Sequence, residues 1–510
     1  MLLKDLVAAS RTVGATRSRR TKVEALAAAL REAAPEQIET ATAYLSGVLR
    51  QRRTGLGWRS LSDLPPPAAE STLTIDQVHQ SFEKVSAVSG SGSRTARTTM
   101  VHDLFGKATA GEQDYLRKLV TGELRQGALD GLMLEAIAAA ADVPATAVRR
   151  ASMLSGATIP VAVAALTEGE PALARFGLEV GRPLRPMLAS SAPDVAAAFA
   201  TAGPTGQEVA VDCKVDGIRI QVHKYDGRVA VFTRTLDEIT DRLPEVVEPV
   251  SDLPARSLVL DGEAIALDRE GRARPFQETA ARTASRVDVG VLRARVPLAS
   301  YFFDLLHLDG VDLVDLPARK RFAKLSQALP ATLVVPRLVT HDVSAATRFF
   351  EDMVKAGHEG VVVKSLEVAY EAGRRGSAWV KVKPRHTLDL VVLAVEWGSG
   401  RRKEWLSNIH LGARDTHEGG FVMLGKTFKG MTDEMLRWQT ERFLELETHR
   451  DGHTVYVRPE QVVEVAFDGV QRSTHYPGGV ALRFARVIRY RDDKDIEQVD
   501  GLASVVSLLP

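Results

Sequence analysis

The chain has 510 residues, with 66 Lys or Arg against 65 Asp or Glu, so its formal charge is +1. Apolar residues make up 45% and charged residues 26%, a globular composition that excludes a disordered or fibrous chain. At roughly 150 residues per domain the length predicts three to four domains. The single cysteine, Cys213, excludes an intramolecular disulfide framework and a tetracysteine zinc site.

No apolar run reaches the ~18 residues needed to span a membrane, and the N-terminus lacks a secretory stretch. The expectation is a soluble cytoplasmic protein, acting as a monomer, with protein partners that the sequence does not identify. A net charge near zero does not exclude nucleic acid, because distribution matters more than the total. Residues 1–60 carry 11 Lys or Arg against 5 Asp or Glu, and RFARVIRYRDDK near the end is basic over a short stretch.

From Met1 to about Leu178 the pattern is helical. TKVEALAAALREAAPEQIETATAYLSGVL (21–49) and GLMLEAIAAAADVPATAVRRASMLSG (131–156) place apolar residues at three- and four-residue spacing, punctuated in the second by Pro144 and Gly156. Between them SGSGSRTART (89–98) reads as a Gly/Ser turn whose backbone N–H groups, with Arg94 and Arg97, could hold a phosphate; a plain flexible loop fits equally well. Prolines in GRPLRPMLASSAPD (181–194) interrupt the helices. Strand-like runs then dominate to WVKVKP (379–384), with helical stretches such as AATRFFEDMVKAG among them. From about Thr387 the chain again shows short strands, as small β-barrels do.

Two Lys-x-Asp-Gly tetrapeptides stand ten residues apart, at Lys214 and Lys224. Lys224 lies in QVHKYDGRVAVF, where Asp226-Gly227 joins two alternating runs as a hairpin turn, so it reads as a surface lysine. Lys214 follows the apolar strand EVAVDC and emerges at its end, where a side chain can face a cleft.

Lys214 also heads an ordered series of motifs. DCKVDGIR (212–219) is followed by FTRTLDEIT (232–240), VLDGEAIA (259–266), FFDLLHLDG (302–310), EGVVVK (359–364), RRGSAWVKVK (374–383) and LRFARVIRYRDDK (482–494). This series resembles the covalent nucleotidyltransferases, specifically the three-domain ATP-dependent DNA ligases. FEKVSAVSGSGSRTARTTMVHDLF and ELRQGALDGLMLEAIA resemble their DNA-binding helices. The resemblance implies an all-α N-terminal DNA-binding domain (1–180), an α+β adenylation domain (181–386) and a C-terminal OB-fold β-barrel (387–510).

It also implies the chemistry. A lysine attacks the α-phosphate of ATP and releases pyrophosphate. AMP passes to the 5′ phosphate of nicked double-stranded DNA, and the 3′ hydroxyl displaces it, so a covalent intermediate divides one hard displacement into easier ones. Lys214 is the nucleophile, and only its neutral form has a lone pair. At an ordinary pKa of about 10.4 fewer than one in a thousand would be neutral at pH 7, so burial and nearby cations are expected to lower it. Lys381, Lys383 and a bound Mg²⁺ could supply those cations.

By the same resemblance Glu263 and Glu359 hold Mg²⁺ or touch the AMP ribose, and Phe303 stacks on adenine. Arg219, Arg234 and Arg375 contact AMP or the 5′ phosphate, as planar guanidinium groups can. Lys381 and Lys383 alternate along a strand, so both would face the α-phosphate. Asp212, where relatives often carry Glu, is placed to meet the adenine amino group. Arg491, Asp493 and Lys494 approach the pyrophosphate end of ATP before the barrel swings away about a hinge between Lys383 and Asp389. Ala485 stands where a proline is frequent.

An mRNA capping guanylyltransferase or an RNA ligase shares the lysine motif, but neither accounts for the long helical N-terminus. An NAD-dependent ligase needs four zinc-binding cysteines. An inactive nick-binding protein would not need Lys214, Glu263, Glu359 and Lys381 together.

Overall fold

The computed structural model of the chain describes residues 1–51, 53–124, 129–203, 206–268, 270–285, 288–372, 375–415 and 419–509. Helices come first: α1 (Leu3–Ala15), α2 (Arg19–Arg31), α3 (Ile38–Leu45), α4 (Ile75–Ala87), α5 (Ser93–Gly106), α6 (Ala110–Thr121), α7 (Leu129–Ala141), α8 (Ala145–Ser155), α9 (Ile159–Glu168) and the short α10 (Glu170–Leu173). The helical stretch 21–49 is two helices, because Pro35 opens a 3₁₀ turn between α2 and α3. In α4, Thr74 accepts from the Gln77 N–H at 3.2 Å while the Gln77 side chain accepts from the Thr74 N–H at 3.0 Å, a reciprocal cap. Its Ile75, Val78, Phe82 and Val85 then lie buried on one face. Pro144 and Gly156 bound α8 as their spacing predicts, Gly156 at φ 72°. One continuous apolar core joins these helices.

The middle of the chain forms two five-stranded sheets. Its strands are β1 (Leu188–Ser191), β2 (Val209–Lys214), β3 (Ile218–Tyr225), β4 (Arg228–Thr233), β5 (Leu258–Ala266), β6 (Leu298–Leu308), β7 (Val311–Asp312), β8 (Arg337–Thr340), β9 (Gly360–Ser365) and β10 (Arg375–Val382). One sheet has the order β1-β10-β9-β2-β8 and the other β4-β3-β5-β6-β7. Helices Val195–Ala202 and Val343–Lys355 back the first; helices Pro244–Ser251 and Ala318–Ala328 back the second. The chain crosses from one sheet to the other between β2 and β3, within the Lys214 tetrapeptide.

That crossing explains Gly217. A Cβ there would stand 2.2 Å from the Ala264 carbonyl oxygen of β5, so only glycine lets the turn lie against the strand. The hairpin at Asp226-Gly227 forms as expected, with φ 49° and 71°. Lys224 corrects the sequence reading: it is 8% exposed, not a surface lysine, and its Nζ donates to the carbonyls of Ser251 (2.8 Å) and Leu253 (2.5 Å).

The last third is strand-rich. The twelve-residue β11 (His386–Trp397) pairs from Val391 onward with β12 (Leu406–Arg414), through its first half with β16 (Val462–Phe467) and through Ala394–Glu396 with β15 (Thr454–Val457). β13 (Phe421–Thr427), β14 (Glu447–Asp451) and β19 (Arg486–Tyr490) extend this sheet, and β17 (Gly469–Arg472) pairs with β18 (Val480–Arg483) as a separate hairpin. The sheet wraps a core of its own that includes Leu390, Phe443 and Phe467, the barrel-like arrangement the strand spacing predicts. Among the described residues no helix is long and apolar enough to cross a membrane.

Candidate active site

Strand register brings the motifs together. In the β2–β9 pairing Lys214 stands opposite Gly360, and the Glu359 N–H donates to the Lys214 carbonyl at 3.0 Å. In the β3–β5 pairing Arg219 stands opposite Glu263, and in the β9–β10 pairing Lys381 stands opposite Val362. Gly360 permits the close approach: at φ 135° a Cβ would meet the Val382 carbonyl at 2.2 Å. The result is a cavity of about 240 Å³ between the sheets, whose walls include Lys214, Glu263, Phe303, Val362, Lys381 and Arg234.

Two carboxylates flank Lys214. Glu359 forms ion pairs with both Lys214 and Lys383. Burial works against its charge, but the two ammonium groups more than offset it and hold the carboxyl below its usual range. Burial acts on Glu263 with less compensation, pushing it up to about 7 despite Lys214 and Arg219 nearby. The neighbouring Cys213 thiol is pushed up to about 12, by burial and then by Asp212, so it remains a thiol beside the amine.

Arg219 lines the cavity, yet its donors are committed to protein groups. It forms a two-pronged pair with Asp261 at 2.9 and 2.6 Å, donates to the Met187 carbonyl at 2.6 Å and reaches the Tyr370 hydroxyl at 3.3 Å. In this arrangement it anchors the chain at Met187, with four of its five N–H donors engaged by protein groups. Asp212 is 2% exposed and bound by Arg337 and Lys364. Phe303 meets Trp379 edge to face, with ring centres 5.8 Å apart. Arg234 is exposed at the mouth. Arg375 opens β10, and its side chain lies outside the described residues.

Lys381 lines the cavity, whereas Lys383 is drawn toward the C-terminal unit, bonding Asp468 at 3.0 Å. Its two carboxylate partners overcome burial and raise its pKa. Lys383 therefore holds Glu359 and the barrel, and does not share a phosphate face with Lys381. The closing motif is not brought to the cavity. Arg491 pairs with Asp389 at 3.3 Å and Asp493 at 2.7 Å, and Lys494 with Asp389 at 2.6 Å. The barrel instead presents Asp468 and Arg483, the latter 3.0 Å from Asp216.

Arg97 is a second correction. It is half-buried, and its guanidinium donates to the carbonyls of Val88 and Val85 at the end of α4, so it closes that helix rather than standing clear on a loop. Arg94 is exposed at the start of α5.

Several site residues escaped the sequence reading. Asp261 had a signal, since it precedes Glu263 by two on one strand and so shares its face. Tyr370, Arg337 and Trp379 had none, because the side chains they meet come from distant strands.

Residues 186–383 match the family described as ATP dependent DNA ligase domain, 402–494 the ATP dependent DNA ligase C terminal region, and 59–138 the DNA ligase N terminus. A protein of Nocardioides sp. (strain ATCC BAA-499 / JS614) named "Probable DNA ligase" is 62% identical over 514 residues, covering 100% of this chain and 99% of its own. One of Beutenbergia cavernae with the same name is 61% identical over 513 residues, again covering 100% and 99%. The solved structure titled Pmar-Lig_PreS3 shares the fold, with a TM-score of 0.61 at 17% identity over 95% of this chain and 99% of its own. Full-length similarity of this extent, over a cavity built from the expected motifs, shows that the chain belongs to the ATP-dependent DNA ligase family, whose activity is nick sealing.

Proposed function

We propose that this chain seals nicks in duplex DNA through an AMP adduct on Lys214, with units at 1–180, 181–386 and 387–510, working as a cytoplasmic monomer. The observation that carries the reading is the position of Lys214: at the end of β2, in the wall of a nucleotide-sized cavity, between two carboxylates.

ATP is the substrate of the first step. Lys214 Nζ leaves its pair with Glu359, gives up a proton to water and attacks the α-phosphorus as the neutral amine; a P–N bond forms, a P–O bond breaks and pyrophosphate departs. Phe303 and Val362 accept the base, and Lys381 at the cavity wall offsets charge on the α-phosphate oxygens. The 5′ phosphate of the nick then takes AMP from Lys214, and the 3′ hydroxyl displaces AMP. Lys214 receives no competition from Cys213, which stays protonated.

Glu263 and Glu359 fit a divalent cation. They are hard oxygen donors, Glu263 on β5 and Glu359 just before β9, and Glu263 carries a carboxyl that burial disfavours as an anion unless a cation joins it. Mg²⁺ held there would neutralise charge on the triphosphate. The closing motif reaches pyrophosphate only after the barrel turns about residues 383–389, which breaks its Lys383–Asp468 and Arg483–Asp216 pairs, and after Arg491 and Lys494 part from Asp389 on the same barrel. Incubation with labelled ATP and Mg²⁺ should give an adduct of AMP mass on the peptide containing Lys214, stable to alkali and released by acid as a P–N bond is. An adduct mapped to another residue, or nick closure without any adduct, overturns the proposal.

A further inference from the structure

Asp212 and Lys364 in the cavity wall are joined from behind by Arg337, a charge that none of the sequence motifs includes. Asp212 on β2 stands opposite Arg337 on β8. Arg337 Nε and Nη2 grip the two oxygens of Asp212, at 2.5 and 2.7 Å, and Nη2 also donates to the Phe303 carbonyl at 2.8 Å. The guanidinium lies 3.5 Å from the ring centre of Phe322, so it is clamped from behind. Lys364 on β9 places its Nζ 2.7 Å from Asp212, with the rings of Phe303 and Trp379 centred 4.4 and 4.1 Å away.

We infer that Arg337 is a positioning residue for base selection: it fixes the Asp212 carboxylate and the Phe303 backbone together, so that the cavity accepts adenine and rejects guanine. This rests on the reading of the cavity as the ATP site.

A carboxylate has about four acceptor positions. Among the described residues, Arg337 and Lys364 fill one on Oδ1 and two on Oδ2, leaving one on Oδ1. That vacancy belongs to a group that lines the cavity and cannot rotate. One fixed acceptor suits the exocyclic amine of adenine, a donor. It repels the carbonyl oxygen that guanine carries at the same place. Asp is shorter than the Glu frequent in relatives, and a short carboxylate gripped by Arg337 is held in one orientation. Arg337 bonds Phe303 at its carbonyl, so the same residue sets the distance between the reading edge and the ring expected to stack on the base.

Arg337→Lys keeps the charge against Asp212 but loses the two-pronged grip; Arg337→Gln loses the charge as well. Adduct formation would be measured against ATP and GTP concentration for both variants and wild type. The expected result for Arg337→Gln is a rise of about tenfold in KM for ATP and a similar fall in preference for ATP over GTP. Its rate at saturating ATP should stay within about twofold of wild type, and Arg337→Lys should fall between the two. An unchanged KM and preference in either variant, or a loss of rate at saturation alone, overturns the inference. Should Arg337→Gln fail to fold, the Lys variant decides by the same readout. Wild type forming no adduct at all overturns the functional proposal, whereas a wild-type adduct with insensitive variants overturns only the role of Arg337.

Discussion

Lys214 and Lys224 occupy identical tetrapeptide positions on consecutive strands of different sheets, and the fold gives them opposite surroundings. Lys214 ends β2 where the chain leaves one sheet for the other, and its amine meets a carboxylate in an open cavity. Lys224 sits one residue before the end of β3, and its amine is held by carbonyls at the end of helix Pro244–Ser251. An ammonium among carbonyls that terminate a helix is a structural cap. A carboxylate partner in a cavity can exchange its cation and release the amine. The contrast shows that the four letters mark a turn in both cases, and that the strand before the turn decides whether it opens on a cleft.

The sharpest way to break this comparison is to remove each amine. Lys214→Ala should leave no AMP adduct by intact mass, the largest effect expected of any substitution here. Lys224→Ala should keep the adduct but unfold more easily, by about 1–3 kcal/mol, since two buried carbonyls lose a charged donor. Thermal unfolding would record this as a loss of a few degrees. An adduct that survives in the first variant and vanishes in the second would reverse the assignment.

How far the sequence reveals such differences depends on what a residue's neighbours are. Lys214, Glu263, Glu359 and Lys381 could be read because each lies at a strand end or on an alternating face, features of local pattern. Phe303 was readable only through resemblance, since YFFDLL by itself describes core. Arg337 and Tyr370 were invisible because their partners, Asp212 and Asp261, lie more than a hundred residues away in the chain. Lys224 was misread for a related reason: alternation correctly gives its strand, but the helix that covers the strand's end follows in the chain and leaves no mark on QVHKYDG. The barrel's orientation was likewise beyond reach, because the pairs that join it to the adenylation unit, Lys383–Asp468 and Arg483–Asp216, link residues 85 and 267 positions apart in the chain.

Arg94 and Arg97 offer a smaller version of the same contrast, three residues apart on one helix. Arg94→Ala should weaken binding to nicked duplex several-fold and reduce the salt dependence by about one ion, as loss of a single phosphate contact does. Arg97→Ala should leave the salt dependence intact and lower the melting temperature, because α4 loses the donor at its end. Equal salt slopes in wild type and Arg94→Ala would remove the turn from the DNA surface altogether.

The smallest effect expected concerns His223, adjacent to Lys224 on β3. Its Nδ1 accepts from the Gly181 N–H at 2.9 Å and its Nε2 donates to the side-chain Oε1 of Gln221 at 2.9 Å, an arrangement that only the neutral ring satisfies. Burial, with a further contribution from His307, pushes its pKa down to about 3. Between that value and the ordinary 6.5 the unfolded chain binds a proton that the folded chain does not, so stability is complete above about pH 6.5 and declines as pH falls. The decline is at most about 1.4 kcal/mol per pH unit for one such group. His223→Gln should flatten it between pH 6.5 and 4.5 in denaturant titrations, while the Lys224→Ala loss persists at both values. If the two variants instead show the same pH dependence, the pairing of His223 with the segment at Gly181 is not what makes this edge of the sheet sensitive to acid.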